Sequence, residues 1–298
     1  MRKRKIPQSL DGQRLDLAVK ELLGVSRGVA QQLIKNKHVD VNERPVSAHT
    51  IVHTDDLIEM EIPPARKNVK KIHHVNAKLE ILYEDKDVLV IVKPSGLLVH
   101  EAPGKNETTL VDALVKYNPK IKKVGDPKRP GLVQRLDKEV SGVMIVAKTP
   151  QSFDYLKGEF AARRVKKEYV AVVYGNLAKM QDTITFRIAR SREKARMVAR
   201  PSSQEGKEAI THYEVLKRAA HHDLVAVRIE TGRTHQIRAH LHALGHPIVG
   251  DPLYKIKRFK PLPVSRIMLH SKHLSLTLPN GEKKTFESTP PDELLSLV

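Results

Sequence analysis

The sequence predicts a mixed α/β chain of the α+β kind, and three observations carry that prediction. Residues 88–92 (VLVIV) and 143–147 (VMIVA) are continuous apolar runs of strand length, the pattern of strands buried on both faces. Helical periodicity is confined to a few short stretches. Strands and helices do not alternate in a regular βαβ series, so a doubly wound parallel sheet is not expected.

Taken in order, residues 1–12 read as a basic tail. Residues 13–23 place Leu15, Ala18, Val19, Leu22 and Leu23 on one helical face, and Gly24 ends it. Ser26 can cap a second helix striped by Val29, Ala30, Leu33 and Ile34. Residues 39–46 read as a hairpin and 56–62 as an alternating strand. Residues 63–75 carry two prolines and several charges without periodicity, and read as a linker. The larger part then runs from 76 to 298. Strands are expected over 79–85 and 88–92, a helix over 109–117, and a strand, charged turn and strand over 131–148. A helix over 151–164 ends in the basic run Arg163, Arg164, Lys166 and Lys167, and cations suit a helix C-terminus. Further strands are expected over 168–175, 184–188, 208–216 and 224–229. A turn into a helix follows at 230–241, and a last pair of strands lies around 268–270 and 274–278. Arg190, Arg192, Lys194, Arg196 and Arg200 form a basic loop suited to phosphate.

Lys and Arg number 53 against 34 Asp and Glu, a net charge of +19, which points to a polyanionic partner. Residues 1–75 hold 14 of the cations against 9 acids, so most of the excess lies in the larger part. There are no cysteines, which excludes disulfides, thiolate zinc sites and thiol nucleophiles. The N-terminus lacks the apolar core of a signal peptide, and no run approaches membrane-span length, so a cytoplasmic protein is expected. Few aromatics and no Trp argue against a single-strand binder built on stacking platforms. No coiled-coil heptads are visible, so a monomer is expected.

Several chemistries lack their residues. His235, His240, His242 and His246 do not have metalloprotease spacing, and no metal is expected. No Gly-x-Ser-x-Gly, P-loop or Gly-x-Gly-x-x-Gly occurs, so no hydroxyl nucleophile and no nucleotide cofactor is expected. A two-carboxylate glycosidase stays open in principle, although no second acid matches the setting of Asp137. What remains is Asp137 on a charged loop, an arginine-bearing helix start and a strand tyrosine, on a chain suited to RNA.

Two resemblances fit these residues. The two short helices and small sheet around SRGVAQQLIKNKHVDVNERPV, at about residues 13–62, resemble the S4 RNA-binding domain. That resemblance assigns Arg27, Lys35, Lys37 and Arg44 to RNA phosphates. The tripeptide Arg14-Leu15-Asp16, on an amphipathic helix, reads as structural. RLDKEVSG with its following strand, KKEYVAVVYG and TGRTHQIRAHL, in that order, resemble the pseudouridine synthases that modify ribosomal and transfer RNA. The branch they resemble has an S4 domain in front, and the likeness spans about residues 13–290. It implies a large, mainly antiparallel central sheet and a cofactor-free isomerase. It also implies roles: Asp137 as catalytic aspartate, Tyr169 packed on the target base, and Arg238 paired with Asp137. Arg135 takes the place of the extruded nucleotide, and Leu269 walls the pocket. Arg163, Arg164, Lys166, Lys167, Arg233 and His235 are expected at RNA. Large-subunit ribosomal RNA is the expected substrate. Transfer RNA and a non-catalytic, RNA-binding assembly role are the alternatives. Whether Asp137 attacks C1′ or acts through a glycal stays open. One departure stands out: the family usually has His before Arg-Leu-Asp, and here Gln134 occupies that place.

Overall fold

The computed structural model describes residues 2–61, 79–101, 107–191 and 196–298. The chain divides into two units, residues 1–70 and 71–298, and each is described by itself.

The first unit contains β1 (Arg2–Lys5), β2 (Gln13–Arg14), α1 (Leu15–Leu23), α2 (Arg27–Lys35), β3 (Val39–Val41), β4 (Arg44–Pro45), β5 (Ile51–Val52) and β6 (Leu57–Met60). Four strands form a sheet in the order β1-β6-β3-β4, and β2 pairs with β5. The expected tail is therefore part of the fold. Strand β1 pairs antiparallel with β6, and Ile6 and Leu10 are buried in the core with Leu15, Val19, Ala30 and Ile34. The cationic residues of β1 hid this, because an edge strand needs little apolar content of its own. Ser26 caps α2 as expected, its hydroxyl accepting from the Val29 N–H. Residues 63–75, expected as the linker, lie outside the described residues, as do Arg192 and Lys194 of the basic loop.

The second unit is built on β7 (Glu80–Glu84), β8 (Val88–Lys93), α3 (Leu110–Tyr117), β9 (Ser141–Ala147), α4 (Pro150–Ala161), β10 (Lys166–Tyr174), β11 (Gln181–Ile184), β12 (Arg187–Arg190), β13 (Met197–Arg200), β14 (Thr211–Arg218), β15 (His222–Ile229), α5 (Gln236–Ala243), β16 (Leu269–Thr277), β17 (Lys283–Glu287) and α6 (Asp292–Leu295). The main sheet runs β11-β14-β15-β10-β16-β9-β8-β7, with β17 also on β16. Its pairings are antiparallel except β16 with β9. The continuous runs are buried on both faces. Along β8 and β9, Leu89, Ile91, Met144 and Val146 join one core with Leu110, Leu114, Ile237 and Leu241. Val88, Val90, Val143 and Ile145 join the other, with Leu156 and Val165. Thr149 and Thr109 cap α4 and α3 through capping boxes.

Three element expectations need correction. Residues 131–140 form a loop rather than a strand and turn. Leu132 makes only an isolated bridge to Val146, and the one strand of that stretch begins at Ser141. The expected last pair of strands is a single strand, β16, whose partner β17 follows the Pro279–Gly281 turn. The stretch 184–188 is divided between β11 and β12, and β12 leaves the main sheet to pair with β13 as a separate ribbon.

Candidate active site

Loop 131–140 reaches the centre of the sheet because β9 does. Gly142, at φ 119, lies so close to β16 that a Cβ there would meet the Ser271 carbonyl oxygen at 2.1 Å. Any side chain would push β9 off β16 and carry the loop with it. Lys93, fully buried at the end of β8, ties the loop from below. Its ammonium donates to the carbonyls of Pro94 (2.8 Å), Leu97 (2.8 Å) and Lys138 (3.0 Å). Burial pushes Lys93 down to about 7 against the pull of Asp137 and Glu139. Three carbonyls nonetheless use three N–H groups, which only the ammonium supplies.

Asp137 sits at the end of this tether with its side chain 13 % exposed. Arg238, from the first turn of α5, is 1 % exposed and donates from Nη1 to Asp137 Oδ2 at 2.9 Å. The rest of that guanidinium is held by Asp251: Nε to Oδ2 at 2.7 Å and Nη2 to Oδ1 at 2.9 Å. Such a fork fixes the plane of the arginine. Burial works against its charge, but Asp251 and then Asp137 outweigh burial and hold the guanidinium above its ordinary value. Asp251 in turn accepts from the N–H groups of Leu253 and Tyr254. It follows Gly250, at φ 76, where a Cβ would meet the Arg266 carbonyl oxygen at 2.1 Å. Among the described residues, Asp137 Oδ1 has no hydrogen bond, so one oxygen is committed and one is open.

A cavity of about 820 Å³ opens over this carboxylate. Asp137, Tyr169, Arg238, Leu269, Arg135, Arg163, Lys167, Arg233 and His235 all line it. Tyr169 projects from β10 and Leu269 from the start of β16, adjacent strands. Burial pushes the Tyr169 phenol well above its ordinary range; a hydrogen bond with Ser271 opposes this and the Asp137 charge adds to it. Arg135 is exposed at the cavity, with no hydrogen bond or ion pair among the described residues. Lys167 is buried beside the cavity and pushed down to about 8 by burial and then by Arg163. Arg129 and Lys157 add to the cationic lining, against Asp126 and Glu230. The cavity is therefore suited to a polyanion at its mouth and an uncharged ring at its floor.

Some expected RNA residues lie elsewhere. Arg164 is paired with Glu159 and Lys166 is exposed on β10, neither in the cavity lining. Arg163, at the rim, is paired with Glu208. In the first unit Lys35, Lys37 and Arg44 are exposed. Arg27 is instead drawn to Asp16, Nε to Oδ2 at 3.0 Å. The histidines weighed for metal are engaged otherwise: His240 with Thr211 and the Phe186 carbonyl, His246 with the Tyr174 carbonyl. Sequence reading missed Lys93, Asp251 and Tyr254. No spacing signal ties them to Asp137, since each acts through contacts between distant segments. His100 Nδ1 and Gln134 Nε2, also at the cavity, are buried without a hydrogen-bond partner among the described residues.

Comparisons with known proteins identify the family. The sequence profile of the RNA pseudouridylate synthase family matches residues 87–243, and that of the S4 domain matches residues 13–58. A ribosomal large subunit pseudouridine synthase D of Pseudomonas aeruginosa is 36% identical over 98% of this chain and 93% of its own length. An uncharacterised RNA pseudouridine synthase of Synechocystis is 36% identical over 91% of this chain and 84% of its own. Among solved structures, human RNA pseudouridylate synthase domain containing 1 superposes with a TM-score of 0.60. It is 27% identical over 72% of this chain and 84% of that one. The chain belongs to the RNA pseudouridylate synthase family, with an S4 domain at its N-terminus.

Proposed function

We propose that this RNA pseudouridine synthase isomerises specific uridines of large-subunit ribosomal RNA, with Asp137 as the group that works at C1′. The observation that carries the assignment is the carboxylate of Asp137 at the floor of a cationic cavity, one oxygen held by Arg238 and the other open. The ribosomal substrate rests on the relatives so named, at about this length and identity.

The isomerisation breaks C1′–N1, turns the base and forms C1′–C5 without net redox change. A uridine inside a helix must first leave the stack, at a cost of a few kcal/mol. Arg135 is exposed at the cavity mouth and free to stack in the space left behind, as a planar guanidinium can. The phosphates on either side meet the cationic rim. At the floor, Tyr169 and Leu269 give the base two walls. Burial favours the protonated Tyr169 phenol, and its ring serves as a wall for the base. Arg238 stays charged and holds Asp137 in place as the glycosidic bond breaks, and Asp251 keeps Arg238 from moving.

Asp137→Asn tests this assignment. Incubated with ribosomal RNA carrying 5-tritiated uridine, the native enzyme releases tritium and the variant does not, while both bind RNA alike. Retained release by Asp137→Asn overturns the assignment. Mapping pseudouridine in total RNA with and without the gene names the substrate; loss confined to transfer RNA overturns the ribosomal part.

A further inference from the structure

The cavity contains an imidazole whose proton position is fixed by its neighbours. Tyr254 is 2 % exposed, and its ring lies 5.2 and 5.3 Å from the guanidinium carbons of Arg196 and Arg238. Its hydroxyl donates to the Met197 carbonyl at 2.8 Å. A phenol has one proton, so the 3.1 Å contact between Tyr254 and His235 Nδ1 is completed by Nδ1–H donating to the phenol oxygen. Burial pushes the Tyr254 phenol up to about 12, which keeps that proton on oxygen. In neutral His235 the other nitrogen, Nε2, therefore carries a bare lone pair. It lies 3.8 Å from Asp137 Oδ2, too far for a hydrogen bond and close enough to share the reacting centre.

The backbone holds His235 in the same way. Its φ of 54 is left-handed, a conformation that strains a residue with a side chain. The turn before it is fastened by Gln236, whose Oε1 accepts from the Arg233 N–H and the Thr231 hydroxyl. The charged and titratable groups facing His235 are Asp137 and Glu139 of the loop, Arg238 of α5, and Asp251 and Tyr254 of the following segment. Burial lowers its proton affinity most. Asp137 pulls the other way, Arg238 adds to the lowering, and the net position is below the ordinary histidine value.

The reaction needs an acceptor there. Once C1′–C5 has formed, C5 carries both the new bond and its original hydrogen. That hydrogen must leave as a proton, its electron pair restoring C5=C6 while the C6=N1 pair returns to N1, which takes a proton from water. Burial disfavours the Tyr169 phenolate, and Asp137 is engaged at C1′. We propose that His235 Nε2 accepts the C5 proton, and that Tyr254 is the positioning residue that fixes its tautomer. The proposal rests on the assignment of Asp137 above.

The test uses the full-length protein and two RNAs, one with uridine at the target and one with 5-fluorouridine. Fluorine cannot leave as a cation, so the second RNA reports only the steps before C5 is deprotonated. With His235→Gln, tritium release from 5-tritiated uridine should fall about 100-fold or more. Rearrangement of the fluorinated RNA should keep the native rate, and a primary isotope effect should appear with 5-deuterated uridine. Tyr254→Phe keeps the ring, so it should lower kcat on uridine with KM unchanged and leave the fluorinated RNA at the native rate. Equal losses on both RNAs, or undiminished tritium release by His235→Gln, overturn the proposal. Asp137→Asn is the separate control: it should be inert on both RNAs, and conversion of the fluorinated RNA by that variant would overturn the earlier assignment instead.

Discussion

At residues 14–16 the tripeptide Arg-Leu-Asp leads into helix α1, and at 135–137 the same three residues lie on the loop before β9. In the first copy Asp16 is wholly buried. Arg14 forks onto it at 3.1 and 3.0 Å, and Arg27 and Gln31 bring two more donors at 3.0 and 2.7 Å. Both carboxylate oxygens are used, and the arginine next door uses two of its nitrogens. In the second copy Arg135 is exposed at the cavity mouth, and Asp137 takes one hydrogen bond from Arg238, a hundred residues further on. The difference lies in the backbone. A helix start, with Arg14 at its N-cap, lets the arginine fold onto its aspartate, whereas loop 131–140 leaves both side chains at the cavity without pairing them. Saturation makes a carboxylate structural; an open oxygen over a cavity makes it available for chemistry.

The sharpest way to break the comparison is to exchange the two acids for amides. Asp137→Asn should lower turnover by at least about 10⁴-fold, on the scale seen when a nucleophile is removed. Its unfolding should change little, since the site keeps one acceptor for Arg238. Asp16→Asn should leave turnover per folded molecule intact and destabilise the first unit by about 1–3 kcal/mol, as buried donors lose a charged acceptor. Turnover assays paired with calorimetric unfolding separate the two. A catalytic defect in Asp16→Asn, or a stability defect without a catalytic one in Asp137→Asn, would erase the distinction.

Asp251 is the next test, because it does for Arg238 what Asp16 does for Arg14. Asp251→Ala leaves a buried guanidinium with one partner instead of two, and breaking such a pair costs about 3–5 kcal/mol. The variant should unfold earlier and lose turnover together. Loss of turnover at full stability would show that Asp251 contributes nothing to holding the fold.

Acid separates the units by different groups. In the second unit His270 is buried, donating from Nε2 to the Ser288 carbonyl and accepting the Ser141 hydroxyl at Nδ1, and burial lowers it to about 4. The unfolded chain takes up that proton near 6.5, so the stabilisation is full above that pH and is lost as pH falls to about 4. The loss is about 3 kcal/mol. For Asp16, burial raises the carboxyl, but Arg14, Gln31 and Arg27 outweigh it and hold it well below the usual range. Its contribution persists down to the unfolded carboxylate value and is lost only below it. Amide protection, taken relative to the intrinsic exchange rate at each pH, should therefore fall at Ala171 and Val172 before it does at Ala18 and Val19 as pH is lowered from 7 to 4. The reverse order would exclude His270 as the acid-sensitive group.

How far the sequence reaches follows the same division between local and distant contacts. The apolar runs of β8 and β9, the Ser26 cap of α2 and the stripe of α1 are local patterns, and they are legible. Asp137, Tyr169 and Arg238 could be named because each sits in a motif whose resemblance reaches beyond its neighbours. Lys93, Asp251 and Tyr254 could not, since a lysine ending a strand or an aspartate after a glycine has many uses. Their roles arise only when β8 meets loop 131–140 and the 250–254 segment meets α5. Strand β1 escaped for another reason: its four cationic residues look like a tail until β6 is present to pair with them.

The smallest effects come from the two arginines, and they give the comparison its finest resolution. Arg14 donates twice to a buried carboxylate, so Arg14→Ala should cost the first unit about 1–2 kcal/mol, reduced by what Arg27 and Gln31 still supply. Arg135 has no partner among the described residues, so Arg135→Ala should leave unfolding within about 0.5 kcal/mol of the native value. Its effect should appear only with substrate. Turnover should fall more on a structured RNA, where a vacated stack must be filled, than on a flexible strand, where there is none. Affinity for the two RNAs should change less than turnover. If Arg135→Ala slows both RNAs equally, Arg135 acts as a general phosphate contact, and its exposure at the cavity mouth serves charge alone.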